Sequence, residues 1–285
     1  MTDSERRSIL CPNCRRLISR DEGACPYCGT SRPGSWWKNN PFTRSAGSAD
    51  RIVTIILTVN VVMFVASLLI SGRPPGRGGL FTALSPDQNS LLKLGATGVV
   101  PIDRFGRFWT VISANYLHGG LLHIIFNMMA VRQLIPLVAQ EYGTWRLLSI
   151  YTLGGVAGYL ASYWAGVGYT VGASSALCGL IGSLLYYGKS RGGVYGQAVF
   201  HEVRGWVVGL FLFGLIAPDI IDNWGHGGGI AGGVLLGLLL GYRERREENL
   251  FDKFLAGGCV LATVLSLLLG VISAYNFLIV SATGR

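Results

Sequence analysis

Seven apolar stretches fill most of the chain after residue 51, and they fix what it can become: 52–70, 120–139, 147–165, 172–187, 205–217, 225–242 and 254–280. None of them contains Asp or Glu. A bilayer core about 30 Å thick takes about 20 helical residues, which the first three stretches and the last supply. The fourth and fifth are short, and short helices persist in a membrane when neighbours shield them or when they lead into a polar cavity. Only 14% of the 285 residues are charged, against about 25% in an average soluble protein. Residues 1–51 hold 14 of the 39 charges but only 4 of the 41 glycines. This exclude a disordered chain, a collagen and an ordinary soluble enzyme, and it predicts an all-α polytopic membrane protein with a small polar N-terminal module. The first run lies too deep in the chain for a cleaved signal peptide. No solenoid period or inverted repeat of transporter type is visible.

Basic residues set the expected orientation. With loops numbered alternately from the N-terminus, 18 of the 24 Lys and Arg fall on the N-terminal side and 6 on the other. The positive-inside rule then places the N-terminus in the cytoplasm. The net charge of +9 is mostly topological, and no nucleic-acid partner is expected. The N-terminus lacks the Arg/Ser-rich amphipathic character of an organellar transit peptide, so a bacterial plasma membrane is the expected location.

Cys11, Cys14, Cys25 and Cys28 form two C-x-x-C knuckles ten residues apart. Each knuckle offers two thiolates from one tight turn, which suits tetrahedral Zn²⁺, and a cytoplasmic setting argues against disulfides. A module of about 30 residues cannot build an adequate core, and a structural zinc would supply the missing folding free energy. Residues 1–32 are therefore expected to be a zinc-ribbon-like module with an unknown partner. Residues 33–50, with Trp36, Trp37 and Lys38, read as linker and interfacial anchor. Cys178 and Cys259 lie in apolar segments and are expected to be small core residues.

Ionisable side chains inside a bilayer are costly and mark functional candidates. His123 and Asn127 sit four apart near the start of the second segment, on one helix face. Ser174 and Ser175 open the fourth segment, and His226 opens the sixth. Segments two, four and six run in the same direction, so their starts share one membrane face, the non-cytoplasmic one. The chemistry that fits is serine acyl transfer: a hydroxyl needs a base, and neutral imidazole suits that task. Ser174 at a helix N-terminus would lie near unpaired amides and the positive dipole end, which can stabilise an oxyanion alongside His123 and Asn127. With no carboxylate in the apolar runs, a Ser–His dyad is the preferred reading; Asp219 and Asp222, just before His226, stay open as a remote third member. Taken singly, a membrane serine usually bonds back to its own helix or packs at a seam, and Ser175 is expected to be structural. Gly225, Gly229, Gly233, Gly237 and Gly241 recur every four residues and predict a close-packing face that brings His226 near Ser174.

These residues resemble the rhomboid family of intramembrane serine proteases. The resemblance lies in Gly172-Ala173-Ser174-Ser175, in His226-Gly227-Gly228-Gly229-Ile230-Ala231-Gly232-Gly233, and in the His118, His123, Asn127 pattern, three motifs in order on three helices. It covers about residues 50–243. It implies a six-helix bundle over 51–243, here with an additional C-terminal helix over 254–282, and a partly membrane-embedded loop over about 71–119. It implies Ser174 as nucleophile and His226 as general base. It also implies an oxyanion hole from His123, Asn127 and the Ser174 amide, no catalytic cofactor, and transmembrane proteins in the lipid bilayer as substrates. Three positions depart from the family's common pattern: Thr110 follows Trp109 where arginine is frequent, Ser175 stands where glycine is frequent, and Cys178 where an aromatic residue is frequent. The alternative is a catalytically inactive rhomboid-like protein that binds client transmembrane helices; the presence of both Ser174 and His226 favours the enzyme. A transporter or channel would need buried charges along a path, and the apolar runs hold no acidic residue and a single basic one, Arg132.

Overall fold

The computed structural model describes residues 8–11, 16–35, 48–72, 84–217 and 221–283. Two compact units divide the chain, Met1–Ile55 and Ile56–Arg285. In the first, strand β1 (Ser8–Leu10) pairs antiparallel with β2 (Leu17–Ser19), with Ile9 opposite Ile18. Its core is Ile18, Cys11 and Cys25, with Ile9 and Cys28 packed against them. So few apolar groups cannot offset the chain entropy of an isolated module.

The remainder is an all-α polytopic membrane protein. Its long helices are α1 (Ser48–Ile70), α4 (Leu121–Tyr142), α5 (Thr144–Trp164), α6 (Ser174–Arg191), α7 (Gly193–Ile216), α8 (Asn223–Leu240) and α9 (Leu250–Thr283). They correspond one for one to the seven expected stretches. The largest difference is the fifth, expected over 205–217 and observed as the 24 residues of α7. Its first half carries the exposed His201, Glu202 and Arg204, which break the apolar run without breaking the helix. Gly192 and Gly193, both at φ +65°, make the break between α6 and α7.

Among the described residues four helices are long and apolar enough to cross a membrane: Ala49–Ile70, Leu121–Tyr142, Gly193–Ile216 and Leu250–Phe277. The other three, α5, α6 and α8, carry the inward-facing glycine, serine and tyrosine and form the centre of the bundle. Backbone meets backbone there. A Cβ on Gly154 would lie 2.8 Å from the Gly179 Cα, one on Gly237 3.3 Å from the Ser183 Cα, and one on Gly233 would overlap the Gly179 carbonyl. Gly225, Gly229, Gly233 and Gly237 are all buried, as the four-residue spacing predicts. Gly241 is not part of that face: it caps α8 at φ +68°, and an added Cβ would have nothing within 4 Å.

The loop between α1 and α4 contains α2 (Gln88–Leu94), one π-helical turn (Val100–Arg104), α3 (Thr110–Ser113) and a 3₁₀ turn. It is tied to the α5–α6 connection by a reciprocal pair of hydrogen bonds between Thr97 and Thr170, 3.1 and 2.8 Å, and by Val99 N–H to the Val167 carbonyl at 2.9 Å. Helix α9 packs on α5, α2 and α3. A Cβ on its Gly270 would strike the Leu94 carbonyl, so this helix lies directly on the loop. The other end of α9 is fastened by the fully buried Arg146. Its guanidinium donates to the carbonyls of Gly241, Arg246 and Glu247 and to Asp252 Oδ2 at 3.1 Å. Glu248 Oε1 accepts the amides of Trp145 and Arg146 at 2.7 and 3.0 Å, capping the start of α5 from the α8–α9 linker.

Candidate active site

Helix α6 begins at Ser174, and the first amide in this turn that reaches a helical acceptor is that of Leu177, which donates to the Ala173 carbonyl. The amides of Ser174, Ser175 and Ala176 therefore point out of the helix end with its positive dipole. Ser174 is partly exposed, whereas Ser175 is 1% exposed and faces Gly158 of α5. The Ser175 hydroxyl is thus directed into helix packing, as expected of a structural residue.

The turn before Ser174 is held from two sides. The Gly172 amide donates to the Ala114 carbonyl at 2.9 Å, and the Tyr159 hydroxyl donates to the Gly172 carbonyl at 2.5 Å. Gly172 has φ +137°, and a Cβ there would lie 2.7 Å from His123 Nε2 and 3.5 Å from Ser174 Oγ. Only glycine suits this position, on conformation and on space. The same contacts show that His123 Nε2 and Ser174 Oγ flank one residue.

His123 lies on α4. Its Nδ1 accepts from the Gly119 amide at 3.4 Å, and its ring stands edge-on to that of the buried His118, centroids 5.0 Å apart. His118 has no hydrogen-bond partner at either nitrogen among the described residues, so it acts on His123 by packing. Asn127 is buried and donates through Nδ2 to the His123 carbonyl at 2.8 Å, which leaves its second amide hydrogen available.

His226 opens α8 and is 7% exposed. Gly229, one turn on, sits against the Ser175 carbonyl, and its Cβ would be 2.9 Å from the Cys178 Cβ. Cys178, where an aromatic ring was an alternative, thus lets α6 and α8 approach closely. No hydrogen bond joins Ser174 to His226 in this structure, and His226 Nδ1 has no partner among the described residues. Catalytic hydrogen bonds are often long without substrate. Asp222 instead caps α8: its carboxylate accepts the Gly225 amide at 2.8 Å and the Ser162 hydroxyl at 2.5 Å. It makes no contact with His226 of the kind a third triad member needs. Asp219 lies outside the described residues.

Two contributors were not evident from sequence. Tyr159 braces the Gly172 turn, but its place on α5 looks like any membrane tyrosine. Arg107 donates to the Leu92 carbonyl at 3.1 Å and so supplies the loop with a guanidinium, two residues before Trp109 rather than after it. Thr110 bonds to the Arg107 carbonyl and to Thr97.

In the N-terminal unit, the thiols of Cys11, Cys25 and Cys28 all lie within 4.8 Å of one another; Cys14 lies outside the described residues. The Cys11 and Cys28 sulfurs are 3.6 Å apart, close to the ~3.8 Å that tetrahedral Zn–S bonds of about 2.3 Å impose. The Cys25–Cys28 turn is closed by Gly29 at φ +70°, whose amide donates to the Cys25 carbonyl at 2.9 Å. This cluster can hold a metal ion.

Residues 106–243 match the family description "Rhomboid domain". The chain is 25% identical to "RHOMBOID-like protein 4" of Arabidopsis thaliana, over 79% of this chain and 65% of that protein. It is 30% identical to "RHOMBOID-like protein 7" of the same plant, over 66% of each. It is 32% identical to "Rhomboid protease GluP" of Bacillus subtilis, over 70% of this chain and 42% of that one. The chain thus spans between about two fifths and two thirds of the length of these relatives. With an all-α membrane bundle and a motif set that falls within the matched residues, the chain belongs to the rhomboid family.

Proposed function

We propose that the protein is an intramembrane serine endopeptidase that cleaves peptide bonds in or near transmembrane segments of membrane proteins. The observation that carries this reading is the shared position of Ser174 Oγ and His123 Nε2 around Gly172, with α8 locked by Gly229 onto the first turn of α6. In the proposed reaction His226 takes the Ser174 hydroxyl proton as the oxygen attacks the scissile carbonyl. The carbonyl electrons move onto its oxygen. As they return, the C–N bond breaks and His226 delivers the proton to the leaving amine. Water, activated by the same imidazole, then releases the acyl group from Ser174. Because His123 Nδ1 accepts from Gly119, the neutral ring carries its proton on Nε2, directed toward Ser174. That N–H, the free Asn127 amide hydrogen and the Ser174 amide are proposed to hold the oxyanion.

The domain boundaries 1–32, 33–50, 51–243 and 254–282 fit this reading, with the N-terminus cytoplasmic and the site opening to the other face. Cys11, Cys14, Cys25 and Cys28 are proposed to bind one structural Zn²⁺, which folds the module and takes no part in catalysis.

The test is labelling of the full chain by a fluorophosphonate, together with cleavage of a reporter transmembrane substrate. Wild type is expected to react at both, and Ser174→Ala and His226→Ala at neither. Wild-type protein that neither labels nor cleaves, yet still retains the reporter helix, is instead a client-binding protein. Cleavage that survives Ser174→Ala overturns the assignment of the nucleophile.

A further inference from the structure

We infer that the crevice between α9 and the loop carrying α2 and α3 binds the headgroup of an anionic glycerophospholipid. This rests on the membrane fold and does not depend on the proteolytic reading. The crevice holds about 490 Å³. Arg107 and Trp109 form its loop side, and Leu269, Ile272, Ser273 and Asn276 its α9 side. Among the described residues no acidic side chain lines it.

Its charge is positive and open to a ligand. Arg107 is half-buried, gives one N–H to the Leu92 carbonyl, and makes no ion pair among the described residues. A guanidinium has five N–H donors in a planar fork that matches phosphate oxygens, so most of its donors remain for an anion. At the edge of the crevice the Lys93 ammonium lies 3.6 Å from the centroid of the Phe277 ring, which also lines the crevice. Asp87, a neighbouring carboxylate, is already accepting the amides of Ser90 and Gly72 at 2.6 and 3.1 Å, and Lys93 makes no ion pair among the described residues. Ser273 and Asn276 add neutral polar groups on the opposite wall.

The walls are held in place. The Trp109 ring is wedged between Gly95 and Gly270, whose Cβ atoms would lie 2.5 and 3.6 Å from it. The apolar part argues for a lipid over a free anion. Leu269 and Ile272 are exposed on α9, where an acyl chain would run, and tryptophan such as Trp109 favours the headgroup level of a bilayer. One ligand has a phosphate beside two cations and a hydrocarbon chain along two aliphatic residues.

The experiment uses the full chain in detergent, with retained lipid read by native mass spectrometry. Phosphatidylglycerol and phosphatidylcholine are compared, with inorganic phosphate as competitor. Wild type is expected to retain phosphatidylglycerol over phosphatidylcholine by about fivefold for each cation engaged. Arg107→Gln should lower phosphatidylglycerol retention about fivefold and leave phosphatidylcholine unchanged. Because Arg107 also holds the loop, Ser273→Phe provides a second arm: it fills the crevice from α9, leaves the Arg107–Leu92 bond intact, and should also reduce retention. Equal retention of the two lipids by wild type overturns the proposal, as does unchanged retention in Ser273→Phe. Full displacement by millimolar phosphate reassigns the crevice to a free anion and overturns the lipid identity.

Discussion

Gly229→Ala tests whether the contact between α6 and α8 sets the geometry at Ser174. The added methyl would overlap the Ser175 carbonyl and sit 2.9 Å from the Cys178 Cβ. Comfortable carbon contacts need about 3.5–4.0 Å, so α8 must retreat by roughly 0.5–1 Å at the level of His226. Alanine gains about 1 kcal/mol of helix propensity over glycine, and overpacking costs about 1–3 kcal/mol, so net stability should fall by no more than about 2 kcal/mol. The rate should respond more strongly, because a displacement near 1 Å between reacting groups can cost about 100-fold. The expected result is a folded protein with a modestly lower melting temperature that cleaves the reporter substrate about 10–100 times more slowly. Gly227→Ala is the internal control. It lies on the same turn, is exposed, and has nothing within 4 Å of its added Cβ, so it should keep wild-type cleavage. Wild-type cleavage by Gly229→Ala, or an equal loss in Gly227→Ala, would refute the reasoning.

Arg146→Met removes a fully buried cation that serves three carbonyls and Asp252. A loss of about 3–5 kcal/mol is expected, seen as a lower melting temperature in detergent. Asp87 caps α2. Partial burial alone would raise its carboxyl, but the amides of Ser90 and Gly72 outweigh this and hold it below the usual carboxylate value. The charged cap therefore contributes fully above about pH 4 and is lost as pH falls through the lowered value. Limited proteolysis of the loop should rise on acidification in wild type, and at every pH in Asp87→Ala, where losing the cap costs about 1 kcal/mol. One zinc per chain is expected by elemental analysis, with chelation or Cys25→Ser abolishing it and exposing the N-terminal module to protease. Unchanged protease resistance after metal removal would rule out a structural role for the ion.

The readable parts of this molecule were those written in local repeats. Seven apolar stretches became seven helices, and the four-residue glycine spacing of α8 matched its packing face from Gly225 to Gly237. Spacing does not say where a helix ends: it places Gly241 on that face, whereas Gly241 turns the chain out of it. Ser174, His123 and His226 are singled out in the sequence because polar groups in a bilayer stand out against their surroundings; that they act as a site is the proposal. Arg146 and Asp252, 106 residues apart, were not: a basic residue at a helix end looks the same whether it faces water or is buried under a linker. Tyr159 was hidden for a similar reason, since its hydroxyl has meaning only once α5 is laid beside the turn before Ser174. Arg107 counted in the sequence as loop charge, and only the folded loop shows what it holds.

Helices α6 and α8 hold Ser174 and His226, α5 holds the Tyr159 brace, and none of the three is among the four helices apolar enough to span a membrane alone. This bears on how the protein is made. A helix of weak hydropathy gains little from leaving an insertion channel for lipid by itself, and these three gain most from one another's glycines. They should therefore leave the channel as a group, flanked by the apolar α4 before them and α7 within the series. Because α8 comes last of the three, the nascent chain cannot bring histidine to serine until synthesis has passed Leu240. Under the proposed function, a partly made chain would then be unable to cut its neighbours in the crowded membrane where it is born.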